Sequence, residues 1–140
     1  MVSACLLGTP CRYDGASRPC GELARLEVLG HRLIPVCPEV MGGLPTPRPP
    51  AELQRDGRVV DRAGKDVTEA YRRGAEAALA LCQQSGCEAA VLKEKSPSCG
   101  CGQIYDGTFS RRLTEGDGVT VELFKAHGIV VCGESDVEKL

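Results

Sequence analysis

Short apolar runs alternate with segments of helical period along almost the whole chain, and no other feature limits the possible folds as tightly. Residues 1–5, 32–36, 89–92 and 129–131 are short and apolar enough to be buried strands. Three helical patterns lie between them. The first covers 21–29 and stops at Gly30. The longest starts at Asp66, which stands at capping-box spacing from Glu69, and ends at Gly86. Val67, Tyr71, Gly74, Ala75, Ala78, Leu81 and Cys82 mark its buried stripe. The third covers 118–126 and stops at Gly128. Such alternation specifies an α/β domain with a mainly parallel sheet flanked by helices. The 140 residues suit one domain, 1–140, in which 133–140 reads as a polar tail. The proline-rich stretch from Gly42 to Pro50 is extended and stiff, either a rigid connection or the wall of a site. The glycine-rich segment 100–117 carries no clear pattern.

Charge and composition exclude several classes. Lys and Arg number 17 against 19 Asp and Glu, without the cationic surplus that phosphate-backbone binding requires, so no nucleic-acid partner is expected. The chain lacks Trp, which argues against a stacking surface for single strands. No apolar run is long enough to span a bilayer. The N-terminus shows no basic region and no cleavage pattern, so a cytoplasmic protein is expected.

The nine cysteines are the anomaly. An odd count without an export signal does not suit a disulfide framework and leaves apolar filler, a metal site or redox chemistry. In open parallel sheets, ligands bind beyond the carboxyl ends of the strands. Cys5 and Cys37 end the first two apolar runs, and Cys99 lies in the loop after 89–92, so parallel strands would bring all three together. Cys132 also ends an apolar run, and Cys11 follows the first strand closely, so both remain candidates. Cys82 sits on the helix stripe and reads as filler. Cys20 and Cys87 flank elements, and Cys101 is a neighbour of the site or a turn residue.

Three thiolates suit a soft metal, and the absence of a Cys-x-x-Cys pair disfavours structural zinc. A cubane iron–sulfur cluster held by three thiolates keeps one iron open as a Lewis acid for a soft atom such as sulfur. Glu39, two residues after Cys37, is a candidate general base toward water, or simply an acid at a loop start. Ser96 and Ser98 precede Cys99 and offer hydroxyls, or serve local turn bonding. Arg12 and Asp14 form a further charged pair.

Together the motifs Ser3-Ala4-Cys5-Leu6-Leu7-Gly8, Cys11-Arg12-Tyr13-Asp14-Gly15, Pro35-Val36-Cys37-Pro38-Glu39, Gly42-Gly43-Leu44-Pro45-Thr46-Pro47-Arg48, Lys93-Glu94-Lys95-Ser96-Pro97-Ser98-Cys99-Gly100, Ile104-Tyr105-Asp106-Gly107-Thr108-Phe109 and Gly116-Asp117-Gly118-Val119-Thr120 resemble the 2-thiouracil desulfidase family over nearly the whole chain. That resemblance implies a Rossmann-like domain with a [4Fe-4S] cluster on Cys5, Cys37 and Cys99. It implies that the open iron takes the sulfur of a thiocarbonyl compound such as 2-thiouracil, that water supplies the oxygen, and that sulfur leaves as hydrogen sulfide without net redox change. It further implies a catalytic glutamate, assigned to Glu39, and a catalytic serine, assigned to Ser98 ahead of Ser96. The expected partner is a small thiolated pyrimidine or another thiocarbonyl substrate. Two other readings compete: a cluster-bearing sensor or sulfur-handling binding protein without turnover, and a zinc or thiol-redox protein.

Overall fold

The computed structural model describes residues 1–139. Along the chain, β1 (Val2–Ser3) runs into a 3-10 turn at Ala4–Leu7, followed by α1 (Leu23–Val28), β2 (Pro35–Val36) and the single-turn α2 (Pro38–Met41). A hairpin of β3 (Ala51–Leu53) and β4 (Val59–Asp61) precedes the longest helix, α3 (Thr68–Gln84), and β5 (Ala89–Leu92). A second hairpin, β6 (Gln103–Tyr105) and β7 (Leu113–Glu115), leads to α4 (Val119–Ala126), β8 (Val130–Gly133) and a closing 3-10 segment, Glu134–Lys139.

Four strands make the central sheet in the order β2-β1-β5-β8, every pair parallel. The chain leaves β1 toward β2 on one side and leaves β5 toward β8 on the other. A switch point, where parallel sheets bind ligands, therefore opens between the carboxyl ends of β1 and β5. Both faces of the sheet are covered, as parallel sheets require. Ala90 and Leu92 point into a core with Ala78, Cys82, Val121 and Phe124 from α3 and α4. Val91, one residue out of phase, packs with Val2, Leu23, Leu26 and Val137 on the other face. The α/β class, the parallel sheet and the flanking helices agree with expectation.

Three details differ. Gly133 ends β8, and Val137 in the last 3-10 segment is 4 % exposed, so the segment read as a polar tail continues the sheet and anchors one apolar side chain in the core, while Ser135 and Glu138 are exposed; Leu140 lies outside the described residues. Val137 packs in one cluster with Leu23 and Leu26 of α1. The long helix begins at Thr68 without a side-chain cap on its N-terminus. Asp66 Oδ1 instead accepts from the Thr68 amide and hydroxyl, a local turn that replaces the capping box. The first strand stops at Ser3, where Ala4–Leu7 turn into a 3-10 helix, the second keeps only Pro35–Val36, and the fourth is shifted to Val130–Gly133.

The placement of α2 depends on two glycines. A methyl group at Gly74 of α3 would overlap the Pro38 carbonyl, and one at Gly42 would overlap the Ala70 carbonyl. Only two residues without side chains let these backbones meet. Gly74→Ala is expected to lower stability by more than ~2 kcal/mol, because the overlap is with backbone that cannot rotate away. A urea melt checks this, and an unchanged midpoint would contradict the close contact.

Candidate active site

The switch-point crevice is a cavity of about 400 Å³, large enough for a small-molecule ligand. Its walls include Cys5 from the turn after β1, Cys37 from the residue after β2, and Cys99 from the loop after β5. Sequence positions 5, 37 and 99 thus meet because three adjacent parallel strands end together. Cys11 also lines the cavity. The Cys37 thiol lies 3.8 Å from the Cys11 carbonyl oxygen. The remaining cysteines are elsewhere: Cys82 is fully buried under α3, Cys101 contacts the Val131 carbonyl at 3.6 Å, and Cys20 and Cys132 pack into the second core. Cys87 packs against the first core.

Burial governs the thiols. It pushes Cys5 up to about 11, helped by the neighbouring Cys37 and opposed by Lys93 and Arg12. It pushes Cys11 up to about 12, again with Cys37 adding to the rise. Cys99 is raised as well, first by burial and then by Glu39, while the Ser3 and Ser98 side chains pull it back by hydrogen bonding. Thiols raised this far are protonated at neutral pH, so a soft metal entering here displaces protons. Among the described residues no three His, Cys, Asp or Glu side chains close around a single metal ion. A cubane takes its thiolates on separate irons, so thiols supplied by three separate loops of one cavity suit a cluster better than mononuclear zinc.

The loop carrying Cys99 is fastened to the start of α4. Val119, Thr120 and Gly118 amides donate to the carbonyls of Pro97, Ser98 and Gly100 at 2.9, 2.9 and 2.8 Å. These bonds satisfy amides that a helix start leaves unpaired. A side chain at Gly118 would come within 2.5 Å of the Ser98 carbonyl, so only glycine permits the approach. Within the loop the two serines part company. Ser96 lines the cavity, and its Oγ accepts from the amides of Ser98 and Cys99, each at 3.1 Å. Ser98 is fully buried, and its hydroxyl shares a 2.8 Å hydrogen bond with Thr120.

Glu39 sits on α2 at the cavity wall. Both of its oxygens are held. The Tyr71 hydroxyl donates to Oε1, and Arg48 Nη2 donates to Oε2 at 3.2 Å. Burial and the adjacent Glu39 raise Tyr71 far above an ordinary phenol, so it stays a neutral donor. Arg48, 8 % exposed, also reaches the carbonyls of Cys11 and Pro45 and the Thr46 hydroxyl, tying its own loop and the Cys11 loop to α2. The Arg12–Asp14 pair is looser, at 3.8 Å, and lies at the rim. Sequence reasoning assigned no role to Arg48 and read Tyr71 as one more residue of a buried stripe. The usable signal was the phenol itself: a hydroxyl on a buried helix face requires a partner.

A parallel α/β sheet whose switch point gathers cysteine thiols around a held carboxylate defines a protein with a thiol-lined ligand site. Comparison with known proteins narrows the class. The sequence model of the 2-thiouracil desulfurase family matches residues 1–136, and the chain belongs to that family. It is 41 % identical over 149 residues to the uncharacterized protein YbbK of Bacillus subtilis (strain 168), covering 100 % of this chain and 98 % of that one. It is also similar to the solved structure of the [4Fe-4S]-dependent thiouracil desulfidase TudS, with a TM-score of 0.92 and 51 % identity, covering 99 % of this chain and 92 % of the other.

Proposed function

We propose that this chain is a [4Fe-4S]-dependent enzyme that replaces the sulfur of a thiolated pyrimidine, or a similar thiocarbonyl compound, with oxygen from water. The carrying observation is the convergence of Cys5, Cys37 and Cys99 with Glu39 and Ser96 on one cavity. The three cysteines are the ligands in this reading: Cys5 and Cys37 follow β1 and β2 closely, and Cys99 is buried in the loop after β5. When bound, the cluster supplies an iron without a protein ligand, a soft Lewis acid for a thiocarbonyl sulfur.

The protein's own groups do the rest. Glu39 takes a proton from the water that attacks the carbon bearing sulfur. Arg48 and Tyr71 hold the carboxylate in place at the cavity wall. Ser96 offers its hydroxyl to a ring oxygen or nitrogen. The balance is one thiocarbonyl and one water giving one carbonyl and one hydrogen sulfide, without an electron donor. Arg12, Arg18, Lys95 and Arg111 also line the cavity and favour a substrate with an anionic substituent.

The position of Ser96 on the cavity wall supports giving it the substrate contact ahead of Ser98, which is buried and supports the loop. Ser96→Ala is expected to lower kcat by ~10-fold or more through the lost contact. Ser98→Ala is expected to cost ~1 kcal/mol of stability, because the Thr120 hydroxyl loses its partner, while kcat changes little. Steady-state kinetics and thermal melts of both variants check this, and the opposite pattern would return the role to Ser98. The function itself is tested by anaerobic reconstitution followed by assay of sulfide and uracil from 2-thiouracil. Equal amounts of both support hydrolysis. An intact cluster with no turnover would instead support a sensor or sulfur-binding protein.

A further inference from the structure

The chain has three Tyr, two Phe and no Trp. Tyr71 and Phe124 are buried at 2 % and 0 % exposure. The other three aromatic residues, Tyr13, Tyr105 and Phe109, all line the same cavity. Tyr105 and Phe109 come from the hairpin β6–β7, which the strand-end argument does not reach.

The turn of that hairpin is held in an unusual way. Phe109 and Arg111 have φ of 56° and 63°, a left-handed conformation that side chains seldom adopt. Left alone, such a turn would relax. Glu52 on β3, a cavity-lining carboxylate only 8 % exposed, holds it. Its Oε1 accepts from the amides of Gly107 at 3.0 Å and Phe109 at 3.1 Å. Gln54 Nε2 donates to the Gly107 carbonyl at 3.2 Å and closes the same junction. Hydrogen bonds to a carboxylate are stronger than neutral ones and can maintain strained backbone at a ligand site.

We infer that Phe109 supplies the aromatic face against which the substrate ring packs, and that Glu52 is the positioning residue that sets it there. The inference rests on the desulfidase reading and adds its specificity: a flat heterocycle is preferred to a thiocarbonyl without a ring. Stacking uses the π face and leaves the sulfur and the ring edges free for the chemistry. Glu52 Oε1 is taken up by the turn amides, and its part in this reading is to hold the turn.

The test uses the reconstituted holoenzyme with 2-thiouracil. Phe109→Ala is expected to raise KM about 10-fold with kcat within about twofold. Phe109→Tyr restores KM. Glu52→Gln keeps the shape and weakens the bonds to Gly107 and Phe109, so hydrogen exchange at those two amides accelerates and KM rises in step. The Glu52→Gln, Phe109→Ala double variant is expected to be no worse than Phe109→Ala alone, since Glu52 acts through that ring. Wild-type turnover with an unmoved KM in Phe109→Ala would overturn the aromatic assignment. Additive effects, or unchanged exchange in Glu52→Gln, would overturn the positioning role. Absence of sulfide release by the wild type would be a different failure: it removes the desulfidase reading and the Phe109 assignment with it, and exchange at Gly107 and Phe109 still decides the part of Glu52.

Discussion

Cys37→Ser is expected to leave the fold intact and to abolish iron binding. Cys37 is half-buried and occupies the position before α2, with φ −132° and ψ 95°. Serine is favoured at such a helix start, so the local backbone loses nothing. A hydroxyl is nevertheless a poor, hard ligand for a site that selects soft metals. Loss of outer-shell partners costs metal sites ~10- to 100-fold in affinity, so loss of a ligand is expected to exceed ~100-fold. Iron after anaerobic reconstitution should fall to background, and turnover with it, while the far-ultraviolet circular dichroism stays unchanged. Cys11→Ser is the informative partner. Cys11 lines the cavity outside the proposed ligand set, and its carbonyl receives Arg48. That variant should keep its iron. Full iron in Cys37→Ser, or none in Cys11→Ser, would redraw the ligand set.

Glu39→Gln is expected to do the reverse, retaining the cluster and losing turnover by ~10²- to 10⁴-fold, the usual contribution of a general base. The amide is nearly isosteric, and its oxygen still accepts from Tyr71. Arg48 is not stranded by the change, because it keeps the carbonyls of Pro45 and Cys11 and the Thr46 hydroxyl. Iron content and the visible spectrum should therefore match the wild type. The lost function is proton acceptance from water, which an amide cannot provide. Full activity in this variant would remove Glu39 from the mechanism and leave the Arg48–Glu39–Tyr71 arrangement as a structural tie between α2, α3 and the proline-rich loop.

The sequence made the sheet legible because its strands are apolar and its longest helix has a clear stripe. It also made the cysteine triangle legible, because parallel strands put their carboxyl ends side by side whatever loops lie between. The two hairpins were hidden for a physical reason. β7 is fully exposed and β3 has only three residues, so neither shows the alternation that marks a half-buried strand. Their ordering comes from long-range bonds such as Glu52 to Phe109, which leave no local trace. Arg48 was obscured similarly: an arginine among prolines reads as surface, yet here it is buried against partners up to 37 positions away. The choice between Ser96 and Ser98 turns on which hydroxyl faces the cavity, and spacing alone does not carry that information.

The most direct test of the account is anaerobic reconstitution with iron and sulfide, followed by a visible spectrum and by iron and zinc analysis on the same sample. The account expects broad iron–sulfur absorption and close to four irons per chain, as a [4Fe-4S] cluster requires. Stoichiometric zinc, or no metal after careful exclusion of air, would contradict it.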